Sequence, residues 1–399
     1  MKIFDRKELA HLWPFYLEAF LGTILFVNVP FMVLYFSSIS MTPWQIGLLM
    51  AVTPLSMFIF EIPTGAVADL YGRKISVILG WTLAGILSFF VYFFKSFSSL
   101  LIIFFLIGFA FSFTSGSYDA WVVDLIKAKK LHTSSYFSKK SSLYGMAFIF
   151  SGILGAFLVE RFGLAIVWPV TGAAFLISVF FLSFGEEVYD RKKVRIKESF
   201  KELRIQTLKS IRYAKNHHVL SYLLTISVLF AIFISLTSQI SWTPFLKSFD
   251  MPDSWFGYLW SASGVLMVIA PLIYLKLFKK FRERNLLIFS SLLFVLTGIV
   301  CLFANSLFFS ISLILAFYFI LDFQTPIENT YLHKFLPTKM RSTIGSVKNM
   351  LFSFSGAIGT IFAGFLVSQI GARHTLVTSA ILMIPIIFLY AKIKSRRIK

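Results

Sequence analysis

The sequence predicts an all-α integral membrane protein with twelve transmembrane helices in two pseudo-symmetric six-helix bundles. Three observations carry that expectation. Hydrophobic residues make up 57% of the 399-residue chain and charged residues only 14%, and the mean hydropathy is +0.80, far from a water-soluble balance. Apolar stretches long enough to cross about 30 Å of hydrocarbon recur twelve times, six on each side of a polar segment at 185–217. The basic residues alternate in step with those stretches. Segments on one side hold 33 of the 38 Lys and Arg, those on the other hold Lys95, Arg161, Lys247 and Arg373, and Lys348 falls inside a stretch. Lys and Arg are retained on the cytoplasmic side, which puts both termini in the cytoplasm and the chain in the plasma (inner) membrane.

The first crossing, near 12–36, follows a charged start and carries Glu18, so it reads as a retained helix and not a cleaved leader. Glu18 and Asn28 are ten residues apart, about 15 Å along an ideal helix, and a single face runs between them through Leu21 and Leu25. In the second crossing, 44–64, steps of four lead from Glu61 to Gly65 and on to Asp69. Crossings at 75–94, 98–123, 141–160 and 164–184 complete a first bundle over 1–184. The fourth presents Ser112, Ser115 and Asp119 at spacings of three and four, with Asp124 at its inner boundary.

Residues 185–217 form the cytoplasmic linker. Within it, 194–216 spaces Ile196, Phe200, Leu203, Leu208 and Ile211 among basic residues, which predicts an amphipathic helix along the inner leaflet lipid. The second bundle, 218–399, takes the crossings at 218–243, 255–275, 286–304, 307–332, 343–369 and 374–391. Its fourth helix, the tenth overall, carries Asp322, Thr325 and Asn329 in one register, with Glu328 one step round. The eleventh carries Lys348 on a stripe with Gly345, Phe352, Ser355 and Gly359.

The halves repeat each other. Phe148–Ala156 (FIFSGILGA) matches Phe352–Thr360 (FSFSGAIGT), and each falls in the fifth helix of its half. Met41–Gly47 likewise matches Met251–Gly257 before the second helix of each half.

Several function classes fall away. The net charge of +20 is distributed as topology determinants, so nucleic acid is not an expected partner. One cysteine, Cys301, excludes an intramolecular disulfide and a cysteine-based metal site, and no H-x-x-x-H pair or P-loop occurs. No nucleophile, base and orienter stand at plausible spacing, so neither enzyme activity, a metal nor a cofactor is expected. The energy for any solute movement must come from a gradient.

Between the second and third crossings, Gly65, Asp69, Gly72, Arg73 and Lys74 fit the pattern G-x-x-x-D-[R/K]-x-G-R-[K/R], with Leu70 where a basic residue is usual. This resembles the loop between helices 2 and 3 of the major facilitator superfamily of secondary transporters, and the match of halves extends the resemblance to essentially the whole chain. Gly65 would let two helices approach, Gly72 would permit a tight turn, and Arg73 and Lys74 would meet headgroups or a carboxylate. In that superfamily helices 4, 5, 10 and 11 close the inner mouth. The resemblance therefore implies an inner gate of Asp119, Asp124 and Glu328 with Lys348.

Ionisable groups at membrane depth are costly and mark function. Asp322, halfway through its helix, is the leading proton or coupling-cation residue; Glu18, Asn28, Glu61, Ser115, Thr325 and Asn329 complete the expected substrate and coupling set. The aromatic, sparsely charged interior, with 49 Phe, suits a proton-coupled exporter of amphipathic, drug-like small molecules, working as a monomer. Against that, Gly145, Gly152 and Gly155 occur without the proline that drug/proton antiporters of the superfamily usually carry in helix 5. Uptake of a sugar, peptide or metabolite is the alternative, followed by a lipid flippase or a non-transporting receptor.

Overall fold

A computed structural model describes residues 4–188, 217–277, 281–335 and 341–393. These are nearly all helical and, among the described residues, contain no strand. In hydrocarbon every backbone N–H and C=O must find its partner within the chain, and a continuous helix does this locally, whatever its Phe and β-branched content. The predicted linker helix at 194–216 lies outside the described residues.

The first crossing is interrupted: α1 (Arg6–Leu17) runs into a π-helical turn at Glu18–Gly22, and α2 (Met32–Ser38) resumes beyond a short 3-10 turn at Val29–Phe31. There follow α3 (Pro43–Tyr71), α4 (Arg73–Phe93), α5 (Phe97–Ser112), α6 (Ser117–Ala128), α7 (Thr133–Phe162) and α8 (Val167–Ser183). Beyond the linker come α9 (His218–Leu236), α10 (Gln239–Lys247), α11 (Trp255–Leu277), α12 (Glu283–Val300), α13 (Leu307–Phe335) and α14 (Arg341–Lys392). The pairs α5/α6 and α9/α10 each make one crossing, and α14 makes two, folded at Gly371 where φ is 80°. Among the described residues ten helical stretches are long and apolar enough to cross, and with the fold of α14 at Gly371 and the interrupted first crossing they accommodate the twelve crossings of the hydropathy pattern.

The chain condenses into two units. One comprises 1–39, 52–200 and 253–264; the other comprises 40–51, 201–252 and 265–399. In the first unit, Leu12 and Phe15 of α1 pack with Val77 of α4, Trp121 and Leu125 of α6 and Leu182 of α8 in a fully buried cluster. Hydroxyls tie α3 to α5 across backbones: Thr53 donates to Phe104 O at 3.2 Å, Ser56 to Phe105 O at 2.6 Å and Thr64 to Ser112 O at 3.0 Å. The second unit is centred on rings, with Phe294 5.0 Å from Phe233 and 5.2 Å from Phe317, and Trp242 5.8 Å from Phe317.

The repeated FxFSGxxG segment has a packing reason. A Cβ on Gly155 of α7 would stand 2.7 Å from Phe31 and 3.3 Å from Val27 of the first crossing; one on Gly359 of α14 would stand 2.9 Å from Ile232 and Ser235 of α9. In each unit the fifth helix presses on the first helix of its half through the second glycine of the motif.

Candidate functional site

Three crossings are broken at membrane depth. Between Leu25 and Asn28 the first crossing unwinds, and Pro30 sits just beyond. Asn28 is 8% exposed and its Oδ1 meets no partner among the described residues. The seventh crossing breaks at Thr237–Ser238, and there Ser238 Oγ, Gln239 Oε1, Ser241 Oγ and Trp242 Nε1 are likewise buried and unpartnered. These two crossings open the two halves. Irregular backbone at such depth is tolerated where it is packed in protein or lines a cavity, and interruptions at corresponding positions of two repeats point to a binding region. The fourth crossing breaks at Phe113–Gly116, where Gly116 adopts φ 71°, a conformation that side chains resist.

These breaks correct two expected registers. Glu18 and Asn28 do not share one helical face, because the π turn and the unwound segment between them rotate the chain. Ser112, Ser115 and Asp119 do not form one stripe either, since Ser115 lies in the break and α6 restarts at Ser117. Both breaks replace the 100° step per residue on which the expected faces relied.

In the first unit the broken segments gather a polar cluster. Glu18, 3% exposed, accepts a hydrogen bond from Tyr118 Oη. Its position in a π turn is a frequent mark of functional sites. Lys140 Nζ lies 3.1 Å from Asp119 Oδ1 and 4.1 Å from the centroid of the Tyr118 ring; Tyr144 and Tyr136 flank it at 5.6 and 6.0 Å. The side chain of Asp119 is 64% exposed and that of Lys140 11%, so the cluster runs from a wet carboxylate to a buried one. Nearer the start of α1, Glu8 accepts from both Tyr16 and Lys139. By charge and position alone Lys140 counts among the topology determinants. Its signal was the spacing Tyr136, Lys140, Tyr144, which puts two rings and an ammonium on one face.

In the second unit Lys348 Nζ of α14 lies 2.7 Å from Glu328 Oε1 of α13, with 14% and 12% of their side chains exposed. Lys334 pairs with Glu283. Asp322 is half-buried and, among the described residues, accepts no hydrogen bond and joins no ion pair. Pro326 stands four residues on within α13, so the Asp322 carbonyl lacks its helical donor and an oxygen is freed beside the carboxylate. Thr325 and Asn329 are exposed, and the Thr325 hydroxyl donates to Leu321 O at 2.9 Å. Glu61 on α3 is exposed too.

At the turn between α3 and α4, Gly72 adopts φ 105°, and a Cβ there would meet the Glu187 carboxylate at 2.9 Å. Glu187 accepts the Lys74 amide at 2.9 Å, and Lys74 Nζ donates to Ser183 O and Gly185 O. Arg73 pairs with Asp124, so this carboxylate is held by the turn. Glu186 takes Lys129 Nζ at 2.6 Å and His11 Nδ1 at 2.8 Å, and hydrogen bonds from Lys129 and then His11 hold its carboxyl below the usual range. Among the described residues Gly65 makes no close approach: a Cβ would meet no heavy atom within 4 Å. The tight packing expected of it falls instead on Gly155 and Gly359. Among the described residues no three His, Cys, Asp or Glu are grouped to hold a metal.

A sequence profile of the Major Facilitator Superfamily matches residues 15–360. The chain is 26% identical over 398 residues to YxaM of Bacillus subtilis, described as an uncharacterized MFS-type transporter, with 96% of each chain covered. An uncharacterized MFS-type transporter of Methanocaldococcus jannaschii is 21% identical over 367 residues, covering 90% of this chain and 91% of that one. Among solved structures, a variant of the nucleoside transporter NupG superposes with a TM-score of 0.82 at 15% identity, covering 96% of this chain and 99% of that one. A bacterial homologue of the human lysosomal transporter Spinster, in an inward-facing and unoccupied conformation, gives 0.72 at 14% identity, covering 97% of each.

Proposed function

The chain belongs to the Major Facilitator Superfamily, and from that premise we propose that it is a proton-coupled secondary transporter of a small amphipathic molecule, working by alternating access. The observation that carries this reading is the interruption of the first and seventh crossings, each with an amide oxygen, that of Asn28 or of Gln239, buried and unpartnered beside the break. A scaffold gains nothing from unwinding a helix in hydrocarbon. A carrier does, because freed polar groups exchange hydrogen bonds with a solute.

Coupling is assigned to the carboxylates that no cation fully neutralises. Asp124, Glu8, Glu283 and Glu328 each pair with one cation. Among the described residues Asp322 has none, and it lies beside a freed carbonyl, an arrangement that takes up a proton or a monovalent cation when the site is dry. Glu18 is the second candidate, a buried acid of the first unit hydrogen-bonded by Tyr118. Neutral donors and acceptors on broken helices also favour a second reading, uptake of a hydroxylated metabolite such as a nucleoside, the solute class of the transporter NupG.

The test is proton movement in proteoliposomes that enclose a pH dye, on addition of members of a panel holding amphipathic dyes and nucleosides. At least one compound should drive proton flux, and Asp322→Asn should keep its binding while losing the flux. Wild-type proton flux in Asp322→Asn moves the coupling role to Glu18. Silence across dyes, nucleosides, sugars and peptides in protein that exchanges no bound ligand would remove the transport reading itself.

A further inference from the structure

We propose that the tyrosine cage around Lys140 is a binding site for an organic ammonium ion, and that Lys140 fills it as a built-in stand-in. The proposal rests on the transporter reading and narrows its substrate to cations.

The cage supplies what such an ion needs. Tyr118 presents its face at 4.1 Å from the ammonium nitrogen, and Tyr144 and Tyr136 close the sides at 5.6 and 6.0 Å, all within the reach of a cation–π attraction. Asp119 adds a carboxylate at 3.1 Å. Beneath, Glu18 is hydrogen-bonded by Tyr118 and lies close enough for its charge to act on Lys140. Two carboxylates and three rings thus serve one ammonium.

A largely buried lysine can be held by far less in the same chain. Lys348 is buried on a single carboxylate, that of Glu328 at 2.7 Å, with no ring over it among the described residues. The surplus around Lys140 is the mark of a recognition site. Its geometry also allows exchange: the carboxylate end is open, Asp119 being 64% exposed, and the charge is delivered on a flexible four-carbon stem that can withdraw. Quaternary and alkyl-substituted ammonium ions suit such a cage, since they shed water easily and spread their charge over the rings.

Two measurements on the full-length purified protein test this, with tetramethylammonium as the probe. In calorimetric titration, Lys140→Gln should bind it at least tenfold more tightly than wild type; adding Tyr118→Ala or Asp119→Asn should cancel the gain, and Lys348→Gln should show none. In the wild-type chain, tetramethylammonium should raise the acylation of Lys140 by an amine-reactive reagent, read by peptide mass spectrometry, by displacing it from the cage. Equal affinity of Lys140→Gln and wild type, or a gain that survives loss of Tyr118 and Asp119, would overturn the proposal. If Lys140→Gln does not fold, unchanged acylation of Lys140 has the same force. Because neither readout needs flux, failure here leaves the transport reading standing.

Discussion

Removing Lys348 should damage the protein more than removing it together with Glu328. The two heads are 2.7 Å apart, and only 14% and 12% of their side chains are exposed, so water cannot take the place of a missing partner. Breaking a fully buried pair costs about 3–5 kcal/mol, because one charge is left without compensation. The residual exposure argues for the lower end, about 3 kcal/mol, which is roughly a hundredfold in the folding equilibrium. Each kcal/mol moves the melting temperature of a unit of this size by about 2–4 °C, giving a loss of roughly 6–12 °C for Lys348→Ala. Replacing Glu328 by Gln in the same chain removes the stranded carboxylate and should return more than half of that loss. Lys140→Gln makes the contrast. Its direct ion-pair partner Asp119 is 64% exposed and simply hydrates, so that pair accounts for about 1 kcal/mol or less, and any larger loss reports the buried Glu18 and the three rings. The assay is thermal unfolding of detergent-purified protein. A double variant no more stable than Lys348→Ala would refute the reasoning.

Other expectations follow from the same geometry. A cysteine at Ser254 should react with a membrane-impermeant thiol reagent added to intact cells and one at Ser134 should not, against a low background because Cys301 is fully buried; labelling of Ser134→Cys alone would invert the topology. Arg73→Ala and Asp124→Asn should slow transport to a similar degree at matched expression, since they break one ion pair at the α3–α4 turn; unequal defects would separate the two residues. Glu186 has a depressed carboxyl pKa, so its contribution to stability is present above the ordinary carboxylate range, about 4.3, and is lost as the pH falls through its lower folded value. Melts of Glu186→Gln should therefore lie below wild type near neutral pH and converge with it toward pH 3, the gap being small for a half-exposed carboxylate. A gap that widened in acid would contradict the assigned partners.

Much of the architecture was legible in the residues, because transfer into hydrocarbon is a sum over side chains that depends little on neighbours. Leu, Phe and Ile runs mark the crossings, and Lys and Arg cluster between them. The repeat was legible as well: FIFSGILGA and FSFSGAIGT share a spacing that the structure explains by Gly155 and Gly359 pressing on the first helix of each half. The turn at Gly72–Lys74 also reads directly, since only a glycine accepts φ 105° with Glu187 against its Cα.

What only the tertiary structure decided is where helices stop being helices and which charge meets which. Leu25–Asn28 and Thr237–Ser238 lie in stretches as apolar as any other, so hydropathy passes over breaks that neighbouring helices and Pro30 stabilise. Gly65 was expected to pack closely and does not, because close approach is a property of two surfaces and only one of them was visible. Asp119 and Glu328 were both open to Lys348 in the chain. Packing gives Glu328 to Lys348 and Asp119 to Lys140. A partner is fixed by distances of about 3 Å, and those depend on the rotation of each helix, which a single π turn or positive-φ glycine resets.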